Sequence, residues 1–113
     1  MTLFVTASGT QTATVASVDT LTTLTGPKTF TLTVDTSEMV FGSTNDELEL
    51  RIENKTLTGS SELLTYYAYF VGAQDMPVKV SIPVPVPFTA TVKLSQVAGT
   101  SRDFEWNVTT PDA

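Results

Sequence analysis

The chain of 113 residues contains no cysteine and no histidine, and each absence removes a class of protein. Without cysteine there are no disulfide bonds, which argues against the small secreted scaffolds that such bonds hold together. Without histidine the usual base that activates a catalytic nucleophile is missing. Ser–Lys pairs remain as an alternative, but no fixed spacing surrounds any lysine. The residues therefore predict a protein that is not an enzyme and that uses no cofactor or metal.

Positive charge is also scarce. Lys and Arg total 6 against 12 Asp and Glu, which gives a net charge of −6 and a pI of about 4.3. Such a surface repels phosphates, so we expect no nucleic-acid partner and no anionic membrane partner. No hydrophobic run approaches the roughly 20 residues of a membrane helix. The first residues, MTLFVTASG, lack the positive and apolar regions of a signal peptide.

What the chain has in abundance is threonine, about a fifth of its residues, together with valine. Both are β-branched and fit a pleated surface better than a helix. Apolar and polar residues alternate in TFTLTVD, ELELRIE, FTATVKLS and DFEWNV, which is typical of strands with one buried face. Turn signals recur at the spacing of a sandwich or barrel. We predict an all-β fold, a single antiparallel β-sandwich of the jelly-roll or immunoglobulin-like type over residues 1–113, with about seven to nine short strands.

Two segments depart from simple alternation. ELLTYYAYFV (62–71) is apolar on both tracks, which fits a central strand covered on both faces or a short helix, and its Tyr, Phe and Val content favours the strand. Tyr66 and Trp106 fall on tracks that we assign to the core. Tyr67 and Tyr69 share the other track, so they are the better candidates for contact with a partner.

The segment VKVSIPVPVPF (78–88) has proline at every second position. Residues i and i+2 of a strand point their N–H groups to the same edge, so Pro83, Pro85 and Pro87 remove three donors from one edge. We predict an edge strand that pairs on one side only and is protected on the other. A polyproline ligand would need a spacing of three residues.

Carboxylates cluster around 46–53 and 103–105 but alternate with apolar residues, which indicates solvated faces rather than the paired carboxylates of a glycosidase. Arg102 follows the AGTS loop and is one of only two arginines. We expect it to pair either with the adjacent Asp103 or with a carboxylate of a partner.

The order of these segments resembles a known family. GTQTATV, TFTLTVD, DELELRI, PVPVPF and LSQVAGTSRDFEWNV follow one another as in small virion proteins of tailed bacteriophages, of the type that decorates or cements the capsid. The resemblance covers most of the chain and transfers no catalytic residue. It implies a protein made in the host bacterial cytoplasm and located on the capsid surface of the virion. There it would bridge subunits of the major capsid protein, alone or as a homo-oligomer.

The candidate contact residues follow from this interpretation. Residues 1–8 are a candidate extended amino-terminal arm, in which Leu3, Phe4 and Val5 would add a strand to a capsid sheet edge. Tyr67, Tyr69 and Arg102 are the other candidate partner contacts. The alternative function is a non-catalytic carbohydrate-binding or adhesion module that uses the tyrosine track. A small hydrolase has almost no support in the residues.

Overall fold

The structure, a computed structural model, describes residues 3–111, and its regular elements are all antiparallel β-strands. In chain order the nine strands are β1 (Leu3–Thr12), β2 (Ser17–Thr25), β3 (Lys28–Asp35), β4 (Glu47–Asn54), β5 (Leu63–Val71), β6 (Val78–Val80), β7 (Val84–Val86), β8 (Thr89–Ala98) and β9 (Asp103–Pro111).

The strands form two sheets packed face to face. The first has the order β1-β9-β3-β6, with β7 also paired with β3, and the second has the order β2-β8-β4-β5. Strands β6 and β7 pair with opposite ends of β3, so together they act as one interrupted strand. Counted this way, the first strand pairs with the last, the second with the next to last, and so on inward. This is the order of an eight-stranded jelly roll, so the predicted β-sandwich is confirmed and the immunoglobulin-like order is not adopted.

The core lies between the two sheets and is built from the alternating segments. Their inward tracks are buried, as the sequence pattern predicts: Phe30, Leu32 and Val34 on β3; Leu48, Leu50 and Ile52 on β4; Ala90, Val92 and Leu94 on β8; Phe104 and Val108 on β9. Trp106 and Tyr66 are both half-buried, and both pack against this core. Phe88, predicted to lie inside, is only half-buried because it lies between β7 and β8 rather than in a strand.

The proline segment forms the predicted edge strand. In β7, Pro85 lies opposite Thr29 of β3, while Val84 and Val86 lie opposite the two flanking residues of that strand. Both valines are buried, and Pro83, Pro85 and Pro87 are exposed. Proline has no N–H, so the ladder donors come from the valines and the outer edge lacks donors at every second position.

Ser81 maintains the ladder where β6 and β7 separate. Its N–H donates to the carbonyl of Leu32 at 2.8 Å, and its hydroxyl accepts from the N–H of Leu32 at 2.9 Å. A serine side chain therefore satisfies a β3 donor that a continuous partner strand would have satisfied. Both groups are buried, so an unpaired donor here would be costly.

The structure corrects two predictions about edges. Strand β5 is not a central strand, because it ends the second sheet and pairs only with β4. Its outer track is apolar yet exposed, as at Tyr67 and Tyr69. Residues 3–8 of the candidate extended arm do not project from the domain either, since they belong to β1, which pairs with β9 on both sides of a bulge between Val5 and Ala7. Pairing satisfies backbone groups that a free arm would leave to water. Residues 1 and 2 of the predicted arm lie outside the described residues.

Candidate binding surfaces and the loop that orders them

A buried carboxylate, Asp46, holds together three loops at one end of the sandwich. Its side chain accepts hydrogen bonds from the N–H of Val40, the N–H of Thr100 and Nε of Arg102, each at 2.9 Å. Its backbone carbonyl also accepts the N–H of Gly72 at 2.7 Å. Asp46 itself is fully buried, whereas the Arg102 side chain is 27 % exposed. The carboxylate is therefore a structural anchor for the loops before β4 and β9.

Gln96 of β8 anchors the same loop from inside. Its amide nitrogen donates to the carbonyls of Ala98 and Thr100, and its amide oxygen accepts the N–H of Arg102. Gly99 has a φ of 99°, a conformation that favours glycine, and a Cβ at this position would overlap the Asp46 carboxylate. The segment QVAGTSR therefore forms an ordered turn in which side-chain and backbone groups hydrogen-bond to one another.

Nε of Arg102 bonds to Asp46, so the prediction that Arg102 pairs with the adjacent Asp103 is wrong. The side chain of Asp103 accepts instead from the Thr12 hydroxyl at 2.6 Å. Sequence reasoning missed the burial of Asp46, although one signal was present. Asp46 has the same parity as Leu48, Leu50 and Ile52, so it continues the inward track of β4 by one step.

The environment of Asp46 sets its ionisation. Burial opposes the charged form, but the hydrogen bonds from Val40 and Thr100, followed by the hydrogen bond and charge of Arg102, outweigh it and hold the pKa of Asp46 below its ordinary value of 3.8. A lowered pKa in the folded state means that folding favours the ionised form. Its contribution to stability is complete above the unfolded value and is lost as the pH falls through the folded pKa.

This linkage gives a pH prediction. We expect the stability difference between the wild type and Asp46→Asn to be largest at neutral pH and to narrow as the pH falls below 3.8, because protonated Asp46 loses the same charge that the variant lacks. Urea unfolding of both proteins across this range measures it. A difference that stays constant down to the acid limit contradicts the assigned role of the charge.

Tyr67 and Tyr69 of β5 lie on the outer face of the second sheet, opposite Arg51 and Glu49 of β4. The Tyr67 hydroxyl donates to Glu49 at 3.1 Å, and the Tyr69 hydroxyl donates to Glu47. The hydrogen bond to Glu47 is the main reason that the pKa of Tyr69 is raised to about 12. The rings remain 47 % and 42 % exposed. The hydroxyls are thus already bonded within the chain, while the ring surfaces face outward.

Leu3, Phe4 and Val5 form a second exposed surface, at the start of β1. They are 64 %, 52 % and 63 % exposed and pair through their backbones with Thr109–Pro111 of β9. Strand β1 ends the first sheet, so its other edge has no partner among residues 3–111. All ten residues of β1 are uncharged. The result is an open sheet edge that is apolar at its amino-terminal end.

The candidate contact residues do not converge on one site. Strand β1 contacts β2, and Lys79 of β6 covers the ring of Phe70 of β5 at 4.8 Å, so the two sheets stack with β1 above β2 and β6 above β5. The β1 edge and the β5 edge therefore lie on opposite sides of the sandwich, and Arg102 belongs to neither.

The outer face of the first sheet has a shallow trough of about 570 Å³. Its polar lining consists of Ser8, Thr10, Thr33, Asp35, Glu105 and Asn107, beside Val5, Val78 and Trp106. A smaller hollow of about 110 Å³ adjoins it, where Glu38 and Asp103 join the carboxylates. Neither lining includes Lys or Arg. The trough offers hydroxyl, amide and carboxylate groups.

Over residues 3–111, no group of three or more Asp or Glu side chains is arranged to hold a metal ion. The same residues contain no helix with the length and apolar character needed to cross a membrane. Comparison of the chain with protein-family models, with curated proteins and with solved structures found no match.

Proposed function

We propose that the chain is a non-catalytic structural protein of a phage virion, which binds the outer capsid surface and stabilises the capsid by bridging major capsid protein subunits. The observation that supports this best is the exposed apolar end of β1, Leu3, Phe4 and Val5, on an open sheet edge. The resemblance of the segments to capsid decoration proteins supplies the partner. The protein would be made in the host cytoplasm and become part of the virion by assembly.

The contact would form by strand addition. An open edge presents unpaired N–H and C=O groups, and a strand of the capsid protein can pair with them while apolar side chains fill pockets. Burying about 300 Å² at these three residues is worth roughly 7 kcal/mol before the losses of association are subtracted. One such contact is modest, and a bridge gains strength because several contacts must break before release.

The test replaces the side chains and leaves the β1 backbone in place. Deleting residues 1–8 would also remove ladder bonds to β9, so its result would mix stability with binding. We expect Leu3→Ser/Phe4→Ser/Val5→Ser to weaken cosedimentation with capsids of the encoding phage at least about tenfold. The protection of these capsids against thermal rupture should fall in parallel.

The matched control is Val78→Ser/Val80→Ser/Ile82→Ser, three apolar residues of similar exposure at the opposite edge of the same sheet. This variant should bind as the wild type does. Equal binding by both variants would reject the β1 contact, and failure of the wild type to bind capsids would reject the function itself.

One observation favours the second candidate function, carbohydrate binding. The trough on the first sheet offers hydroxyl, amide and carboxylate groups, which hydrogen-bond to sugars. A glycan array separates the two functions. Binding of a defined oligosaccharide that is lost in Asn107→Ala, with no capsid binding, would favour this alternative.

A further inference from the structure

The free edge of β5 differs from the other three sheet edges. Prolines block the β6/β7 edge, β2 has a bulge between Thr20 and Thr22 and carries Asp19, and β1 has small or polar residues over its unbulged part, 7–12. Strand β5 has no proline and no charge, and it pairs with β4 without interruption from Tyr66 to Val71. A long, apolar and unprotected edge of this kind is a ready site for pairing with another strand.

The hydrogen bond of Gly72 shows which backbone groups of β5 are free. The Gly72 N–H donates to the carbonyl of Asp46, on the β4 side. Because antiparallel strands alternate the side to which each residue directs its N–H and C=O, Phe70 and Ala68 also face β4. Val71, Tyr69 and Tyr67 therefore direct theirs to the open edge.

The free window is short and symmetric. At its carboxyl end the side chain of Gln74 donates to the Val71 carbonyl at 2.9 Å, so this acceptor is already used. At its amino end the register with β4 shifts between Leu64 and Tyr66, which leaves Thr65 without a partner in β4. Between these limits the unpaired groups belong to Tyr67 and Tyr69, at equal distances from Ala68. Each tyrosine offers one donor and one acceptor.

We propose that this edge pairs with the same edge of a second copy of the chain, antiparallel and about a two-fold axis at Ala68. Tyr67 then exchanges two hydrogen bonds with Tyr69 of the partner subunit, and the symmetric pair repeats them. The two exposed rings meet across the strands, which is a favourable pairing on a sheet face. The two four-stranded sheets become one sheet of eight strands.

The absence of charge on β5 favours a second copy as the occupant, and the area of the edge sets the strength of the contact. The chain has a net charge of −6, yet β5 carries no charge, and Glu47 and Glu49 beside it are bonded to the tyrosine hydroxyls. Pairing therefore places no charged side chain of β5 against its copy. About the axis at Ala68 the overlapping strand is residues 65–71, about 23 Å long, and the shortest dimension of the molecule is 19 Å. A contact of this size, about 400 Å² per subunit, belongs to the weak, reversible interfaces.

The dimer would also serve the proposed function. Only its role in bridging capsid subunits rests on that function. The β1 edge and the β5 edge lie on opposite sides of each sandwich, so a β5 dimer carries one β1 end at each far side. Two such ends give one dimer the two contacts that a bridge between capsid subunits requires. The pairing itself is a property of the purified chain and is tested without capsids.

Sedimentation velocity of the full chain over a concentration series is the first test. We expect a monomer–dimer equilibrium whose dissociation constant rises at least about tenfold in Tyr69→Lys, because a lysine at the edge opposes strand pairing. Tyr69→Pro should act likewise by removing an outward N–H. The matched control Thr23→Lys places the same charge on the β2 edge and should leave the dimer unchanged. A wild type that stays monomeric, or a dimer equally weakened by Thr23→Lys, overturns the proposal.

The register is tested by Ala68→Cys, since the chain has no other cysteine. At the two-fold axis residue 68 faces itself in a pair without hydrogen bonds, with Cα atoms about 4.5 Å apart, within the range of a disulfide. We expect oxidation to crosslink this variant into dimers and to leave Thr23→Cys monomeric. Equal crosslinking of both variants, or growth of the wild type into long polymers, shows a different contact and overturns the two-fold pairing.

Discussion

Replacing Asp46 by alanine is expected to lower the free energy of unfolding by about 3–5 kcal/mol. The side chain is fully buried and accepts from two backbone N–H groups and from Arg102. Alanine leaves these three donors without their acceptor and opens a cavity next to Gly99. Each unsatisfied buried donor costs about 1–3 kcal/mol, although the partial exposure of Arg102 to water reduces its share. Urea unfolding at neutral pH measures the loss.

Two further variants separate the causes. Asp46→Asn keeps the shape and one carbonyl oxygen but loses the charge, so its loss should be intermediate, about 2 kcal/mol. Asp75→Ala removes an exposed carboxylate and should change the stability by no more than about 0.5 kcal/mol. The prediction is contradicted if the free energies of unfolding of Asp46→Ala and the Asp75→Ala control differ by less than about 1 kcal/mol, roughly the error of such comparisons. In that case the Asp46 side chain does not stabilise the fold.

Replacing Pro83, Pro85 and Pro87 together by valine is expected to turn a protected edge into an adhesive one. The exchange restores one outward N–H group on β7, at position 85, and one on each side of it, and adds β-branched side chains, while the inward Val84 and Val86 keep their places in the core. The free energy of unfolding of the monomer falls by at most about 1 kcal/mol per proline, because the unfolded chain gains conformational freedom. The association of this variant should strengthen far more, so that the concentration at which aggregates form falls at least about tenfold.

Static light scattering over a concentration series measures this association. Replacing the same three prolines by lysine is the matched control, because it also restores the N–H groups but places charges along the edge. The lysine variant should remain as dispersed as the wild type. If the valine variant is equally dispersed, the alternate prolines have no protective role.

The period-2 pattern was sufficient to predict the core and one edge. Phe30, Leu32 and Val34 alternate with threonines, and a strand with one buried face has no other way to arrange them. The proline track could be interpreted in the same way, because a missing N–H has the same consequence in any strand. Such inferences are local, since they depend only on the geometry of the strand itself.

The errors concern contacts between distant parts of the chain. Strand β5 was predicted to be central because its outer track is apolar, and the sequence does not show that only β4 lies beside it. The Asp46–Arg102 pair joins residues 56 positions apart, so Asp103, the neighbour in sequence, was the wrong choice for Arg102. The order of strands depends likewise on how the sheets pack. Only the parity of Asp46 offered a local hint of its burial.

The pairing of the first strand with the last has a consequence for engineering. Leu3 lies opposite Pro111, so residues at the two ends of the described chain are neighbours across one ladder. A short linker between them would permit circular permutation, with new termini in the exposed turn around Gly59 between β4 and β5. For the same reason, a reporter attached next to Leu3 or next to Pro111 lies at the same corner, beside Phe4 and Val5. Labels are better placed in that turn, away from the open end of β1.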